Sequence, residues 1–285
     1  MANITPQDVK TLREKTGAAM MECKNALVET DGDFAKAEKI LKEKGLAAVE
    51  KRSGRATNAG KVTIVIKEDG TAGAMSELVA ETDFVARNPE FIALGKNIAE
   101  RVLEKGYTEP NEELSNLVLD LASKIRENMG LKSVRYITAR ENEYLTSYVH
   151  GDGAIGIIVK MGIDKPELLK DEELKNFIFT LALHVAAFNP IAIDESKIDA
   201  AWLNEQKEIF RVQMEKDESM KGKKPEVLEN ILKGKVSKFL KDICLMDQAY
   251  VKDEKMTVAK AIDDAGKRFG VKLVFLDYIY LRVGG

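Results

Sequence analysis

The stretch from Lys61 to Phe91, KVTIVIKEDGTAGAMSELVAETDFVARNPEF, contains a change of period that decides the fold. Val62, Ile64 and Ile66 alternate with more polar neighbours, the two-residue repeat of a half-buried strand. Glu68-Asp69-Gly70 supplies a hairpin turn, and a second strand is expected to run to about Ala80. Asn88-Pro89 then opens a helix, since asparagine caps well and proline suits a first turn whose N–H groups lack helical partners. Residues 82–87 are therefore expected to form a short loop at the end of a rigid hairpin, where side chains are commonly displayed. In extended backbone Asp83 and Phe84 point opposite ways and cannot both face one core. Large aromatics ordinarily pack, so two readings stand: a buried Phe84 with Asp83 in solvent, or a displayed pair.

Toward the N-terminus, residues 1–54 read as three short helices. Thr5 caps the first, with Pro6 at its first position and Asp8 where a capping box places an acid, and Thr16-Gly17 ends it. On the second, near Met20 to Glu29, Met20, Cys23 and Leu27 share one stripe while Met21, Lys24 and Val28 share its neighbour. One methionine should face the core and the other lean outward. Asp31-Gly32-Asp33 makes a turn, and Phe34, Ala37, Ile40 and Leu41 form the buried face of a third helix expected to end before Gly45. Ser53 to Gly60 reads as a linker.

Toward the C-terminus, helices at roughly 88–105 and 111–128 and a strand near Ser133 to Ala139 close a first unit. The pattern then restarts with a strand from Tyr144 to His150, the turn Gly151-Asp152-Gly153, a strand from Ala154 to Met161 and a helix from about Asp171 to Phe188. Its closing helix and strand come only at Val258 to Phe269 and Val271 to Leu281. The intervening 199–244 repeats apolar residues at helical spacing (Leu228, Ile231, Leu232, Phe239, Leu240, Ile243) after a first half carrying Ile198, Trp202 and Ile209, with a break at Lys221-Gly222-Lys223-Lys224-Pro225. An antiparallel helical hairpin is the economical reading, and such an arm serves binding more often than chemistry. The expected class is α+β: a three-helix domain over 1–54, a core subdomain over 55–140, and a similar one over 141–285 with the hairpin inserted at about 199–244.

Composition narrows function. The 285 residues are 45% hydrophobic, as in an ordered globular protein. With 44 basic against 47 acidic side chains the formal charge is -3, so no overall field draws nucleic acid, and none is expected as a direct partner. Apolar runs such as Ala154 to Met161 are short of a membrane span, and MANITPQDVK lacks the parts of a signal peptide, which gives the cytoplasm as the expected location and no membrane partner. Cys23 and Cys244 suit burial better than a disulfide, and with only His150 and His184 beside them no zinc spacing exists. No metal or cofactor is expected. Gly151 to Gly156 matches G-x-G-x-x-G, but a strand follows where a dinucleotide site needs a helix, so a hairpin turn is the better reading. Neither a nucleophile elbow nor an electropositive cysteine is present. An α+β enzyme would have to use His150 or His184 as base, and histidines in such positions more often pack, so the expectation is a non-enzyme with no catalytic residue. Asp263-Asp264 and Glu172-Glu173 read as solvated helix faces.

Two long motifs, Leu12 to Leu27 (LREKTGAAMMECKNAL) and Glu77 to Arg87 (ELVAETDFVAR), with Tyr148-Val149-His150-Gly151 and His184-Val185-Ala186-Ala187 ahead of Asn189-Pro190, closely resemble the elongation factor Ts family of bacteria and organelles. The resemblance covers nearly the whole chain. It implies a guanine nucleotide exchange factor for elongation factor Tu, built as a ubiquitin-associated-like three-helix domain, two α+β subdomains and a coiled-coil hairpin. It implies that Asp83 and Phe84, framed by Thr82 and Val85, enter the partner's nucleotide-binding domain and help dislodge its magnesium. Arg13, Met20, Met21 and Lys24 would dock the N-terminal domain, and Ile125 and His150 match further contact positions. The partner would be bound both with GDP and free of nucleotide. Arg126 stands where many members have glycine, and Ala249-Tyr250 stand where Pro-Phe is usual. The sequence runs to Leu281-Arg282-Val283-Gly284-Gly285 without the C-terminal extension of some members, so a smaller contact area is expected. The alternatives are an RNA-associated or chaperone-like module, using the three-helix domain and the basic tip at Lys221 to Lys224, and the α+β enzyme.

Overall fold

Thr5 starts the first helix as its sequence demands: its hydroxyl accepts the Asp8 N–H at 3.2 Å while the Asp8 carboxylate takes the Thr5 N–H at 2.9 Å. The computed structural model describes residues 4–284, so Met1 to Asn3 of the opening stretch and Gly285 lie outside the described residues. Helix α1 (Pro6–Thr16) stops at Gly17, and α2 (Met20–Glu29) and α3 (Phe34–Glu50) complete the three-helix group. Leu12, Cys23, Ala26, Leu27 and Ala37 are fully buried between them. Helix α3 does not end before Gly45 but runs on to Glu50. Gly45 is a packing position: a Cβ there would sit 2.9 Å from the Ser123 Cβ, so its missing side chain lets α3 lie close on a later helix.

The hairpin follows as β1 (Ala59–Ile66) and β2 (Ala72–Ala80), then α4 (Asp83–Ala86), α5 (Pro89–Lys105), α6 (Glu112–Ile125) and β3 (Met129–Thr138). Both pairings in the sheet, ordered β1-β2-β3, are antiparallel, with Ile64 opposite Met75 and Met75 opposite Arg135. All nine residues of β2 are buried. The Ser76 hydroxyl donates to the Gly95 carbonyl of α5 at 2.9 Å, and Leu78, Phe91, Ile98, Val102, Leu114 and Val118 form the core between sheet and helices.

The second half repeats the plan: β4 (Glu143–His150), β5 (Ile155–Ile163), α7 (Glu172–Phe188), α8 (Ala200–Lys216), α9 (Pro225–Ile243), β6 (Ala249–Tyr250), β7 (Asp253–Thr257), α10 (Val258–Phe269) and β8 (Leu273–Arg282). Its sheet is ordered β4-β5-β8, as the first is ordered β1-β2-β3. The short β6–β7 pair was not foreseen. Helices α8 and α9 pack on each other through Met214, Leu232 and Val236, with the Phe210 and Phe239 rings 5.4 Å apart. Of the apolar residues of α8, Ile209 is exposed, while Phe210 and Met214 face α9. Contacts divide the chain into two units, one holding residues up to Thr138 with Val149–Gly156 and the stretch from Leu281, the other Ala139–Tyr148 with Ile157–Tyr280. Among the described residues no helix is long and apolar enough to cross a membrane.

Candidate functional site

Residues 82–87 are not the extended loop expected. Asp83 to Ala86 close a helical turn with Thr82 as N-cap, so successive side chains are about 100° apart rather than opposed. Asp83 and Phe84 therefore both face solvent, Phe84 at 83% exposure, while Val85 and Ala86 turn inward and are buried. The displayed pair exists, but by helical geometry and not by strand alternation. Asn88 caps the next helix by accepting the Glu90 N–H at 2.8 Å, and Phe91 is the aromatic that enters the core, 1% exposed.

The turn is held at both ends. Thr82 donates its N–H to Glu127 Oε2 at 3.2 Å and its hydroxyl to the same carboxylate at 2.9 and 3.0 Å, while accepting the Val85 N–H at 3.4 Å. Glu81 accepts the Asn128 N–H at 2.6 Å, which together with the Arg55 guanidinium holds its carboxyl below the usual range. The Asn128 amide donates to the carbonyls of Ser53 and Arg55 at 3.2 and 2.7 Å, tying the linker to the same point. At the other end Arg87 pairs with Asp83 at 3.3 Å.

His150 is exposed at the end of β4. The turn after it has three successive positive φ values, 60° at Gly151, 54° at Asp152 and 94° at Gly153, and leads into β5, so it is a hairpin turn and not a phosphate loop. It docks on β1, where the Val62 N–H meets the Gly153 carbonyl at 2.8 Å and Lys61 Nζ meets Asp152 Oδ1 at 2.7 Å. Lys61 holds the Asp152 carboxyl down, with a smaller contribution from Arg87 at the foot of α4. Ile125, the last residue of α6, is half-buried against the core below.

Arg13 and Lys24 are exposed on the three-helix group. Met20 and Met21 are both exposed, at 48% and 61%, where one was expected inside. The buried stripe of α2 is Cys23, Ala26 and Leu27, and Met20, the first residue of the helix, lies outside the core cluster of the three helices.

His184 is structural. The Val251 N–H donates to its Nδ1 at 3.2 Å, so its Nε2–H donates to Gln248 Oε1 at 3.0 Å, and burial pushes its pKa down. Its ring stacks on Phe188, and Tyr250 nearby exchanges a hydrogen bond with Thr180 at 2.6 Å. Both ring nitrogens are engaged, which leaves no lone pair for a substrate proton. Cys23 and Cys244 are buried and free, and burial lifts the Cys244 thiol to about 11, far from a nucleophile's range.

Sequence reasoning missed Glu127 and Arg87 as parts of the site. Arg87 carried a local signal, lying four residues after Asp83 on a helical turn. Glu127 carried none, because its partner Thr82 is 45 residues away.

A family model described as Elongation factor TS matches residues 81–284. The chain is similar to elongation factor Ts of Treponema denticola, 44% identical over 282 residues covering 99% of each chain, and to that of Treponema pallidum subsp. pallidum, 41% identical over 290 residues with 99% of each covered. Against elongation factor Ts of Clostridium acetobutylicum it is 36% identical over 292 residues, with 99% of this chain and 92% of that protein covered.

Proposed function

The chain belongs to the elongation factor Ts family, the guanine nucleotide exchange factors of elongation factor Tu in translation elongation, and we propose that its exchange rests on the displayed Asp83–Phe84 pair. The observation that carries this reading is Phe84, a large aromatic left in solvent on a turn whose next two residues are buried. Burying such a ring in an apolar gap of the partner supplies roughly 2–3 kcal/mol. That binding energy is available to distort the magnesium site, whose octahedral shell tolerates little displacement. Asp83 adds a negative charge where metal and phosphates balance, and Thr82 and Val85 hold the pair.

The thermodynamic requirement is linkage. A factor that binds the nucleotide-free partner better than the GDP-bound one lowers nucleotide affinity by the same coupling free energy, and returning nucleotide expels the factor. The chain meets the GDP-bound form, loosens the ion, and holds the empty form until GTP enters.

The remaining surface fits docking. Arg13, Met20, Met21 and Lys24 present flexible apolar side chains beside positive charge on residues 1–54, the ubiquitin-associated-like domain of this reading. Ile125 extends the contact on the core subdomain over 55–140, and His150, at the end of β4 in a stretch that groups with the same compact unit, adds to it. The subdomain over 141–285, with its hairpin at about 199–244, meets another domain of the partner. Action is in the cytoplasm, with no direct nucleic-acid contact.

Stopped-flow release of fluorescent GDP from purified elongation factor Tu tests the reading. Release that accelerates with concentration of the chain and saturates is the expected result, and release at the spontaneous rate would sink it.

A further inference from the structure

A helical turn of four residues does not hold itself together in water, because nucleation fixes more dihedral angles than it gains hydrogen bonds. The cap inside this one is long, with the Val85 N–H 3.4 Å from the Thr82 hydroxyl. The stronger grip comes from outside. Glu127 takes both the N–H and the hydroxyl proton of Thr82, and once that single proton is donated the hydroxyl oxygen is left to accept from Val85. A charged acceptor strengthens such bonds relative to a neutral one.

Glu127 is delivered by the end of α6. Arg126 adopts φ 67° and ψ 25°, its N–H closes on the Ala122 carbonyl, and the chain turns so that Glu127 meets Thr82 while Asn128 meets Glu81. The second half of the molecule contains the same junction held differently, with the turn Pro166–Lys170 in place of α4 and Lys165 Nζ donating to the Gly270 carbonyl at 2.6 Å in place of a carboxylate grip. Asp164 accepts the Lys272 N–H at 2.7 Å, as Glu81 accepts that of Asn128, but Lys165 and Val271 stand in the places of Thr82 and Glu127. No aromatic is displayed there.

We propose that Glu127 is a positioning residue for nucleotide exchange, holding Thr82 so that α4 presents Phe84 in the orientation the partner's site accepts. This rests on the exchange reading above. Glu127 acts through Thr82 and Phe84 and not by contact with the metal or nucleotide.

The test is saturation kinetics of fluorescent GDP release from elongation factor Tu, with hydrogen exchange on the free chain. Glu127→Ala is expected to lower the saturating rate about tenfold while the half-saturating concentration moves less than about twofold, since orientation is lost and the docking surface kept. Glu127→Gln, which retains a carbonyl acceptor for the hydroxyl, recovers most of the loss. In a Phe84→Ala background Glu127→Ala adds nothing, because the side chain it orients is gone. Amides of Val85, Ala86 and Arg87 exchange faster in Glu127→Ala while those of α5 stay as in wild type.

Release by Glu127→Ala at the wild-type saturating rate overturns the proposal. So does a double variant slower by the product of the two single effects, or loss of protection throughout α5. Should Glu127→Ala not fold, Thr82→Val, which removes the gripped hydroxyl at constant shape, and Glu127→Gln carry the same comparison. A wild-type chain that leaves GDP release unchanged sinks the exchange reading alone. Hydrogen exchange then still judges the grip, which falls if protection of residues 85–87 is unaltered in Glu127→Ala.

Discussion

The junction after the second strand occurs twice in this molecule, and the two copies treat their apolar side chains oppositely. After β2 the chain closes α4 and leaves Phe84 in solvent, whereas after β5 the short turn Pro166–Lys170 keeps Leu168 and Leu169 half-buried. The frames agree atom for atom. The Glu81 N–H donates to the Asn128 carbonyl at 3.2 Å and the Asp164 N–H to that of Lys272 at 3.4 Å, and each carboxylate takes the amide N–H in return. Each returning strand is preceded by a left-handed residue, Arg126 at φ 67° and Gly270 at φ 65°. A shared frame with one displayed aromatic separates what the fold needs from what the partner needs. Leaving a phenylalanine out forgoes roughly 2–3 kcal/mol of burial, so this position is not tuned for stability.

The contrast between display and burial is sharpest seven residues apart, at Phe84 and Phe91. Phe91→Ala is expected to cost about 4 kcal/mol of stability in the first unit by denaturant unfolding, as a fully buried aromatic does. Phe84→Ala should leave that unfolding midpoint in place and slow saturated GDP release by about 2–3 kcal/mol in barrier, roughly 30- to 150-fold. A Phe84→Ala chain that unfolds would make Phe84 a core residue and end the comparison.

Leu168→Ala probes the covered copy. Its half-buried side chain should cost about 1–2 kcal/mol of stability with GDP release within about twofold of wild type. Slower release would assign the second junction a display role too.

Acid separates the two halves in order. His184 has its pKa lowered by burial, so the neutral form is favoured in the fold, and its contribution is complete above the ordinary 6.5 and lost as pH falls below it. Glu81 has its pKa lowered by the Asn128 N–H and Arg55, so its contribution is complete above the ordinary 4.5 and lost only below that. Hydrogen exchange along a pH titration should therefore rise first around α7 and later at the Glu81–Asn128 contact. The reverse order would mean that other groups govern acid stability.

The smallest effect tests the left-handed residues. Arg126→Gly should stabilise by less than about 1 kcal/mol, because relief of the backbone conformation is partly offset by loss of an exposed ion pair with Glu22. Thermal unfolding measures the net sign, and destabilisation would show that the ion pair outweighs the strain.

Much of this was legible because the signals are local. Thr5 with Asp8, Asn88 with Pro89, and the alternation of Val62, Ile64 and Ile66 each specify an element from within a few residues. Phe91, three residues past the Asn88 cap, enters the core as the local pattern around that cap allows. Other readings failed where a local pattern met a distant surface. Gly45 looked like a helix end and is a contact with Ser123, and Met20 shares the periodicity of Cys23 but lies where the core of the three helices has run out. The TDFVAR stretch reads as a loop because Asn88-Pro89 opens the helix after it; what makes it a turn is the burial of Val85 and Ala86 in the core together with the hold of Glu127 on Thr82, both set by distant residues.

By itself the sequence determined the order and type of the elements apart from α4 and the β6–β7 pair, the doubling of the strand–helix–strand plan, and the family, since caps, turns, periods and motifs are properties of neighbours along the chain. Only the tertiary structure decided that Asp83 and Phe84 leave the core together, that His184 has both nitrogens occupied, and that Glu127 grips Thr82 across 45 residues. The physical reason is that burial, and the pairing of polar groups that burial enforces, depend on which surfaces meet in space, and no spacing along the chain encodes that meeting.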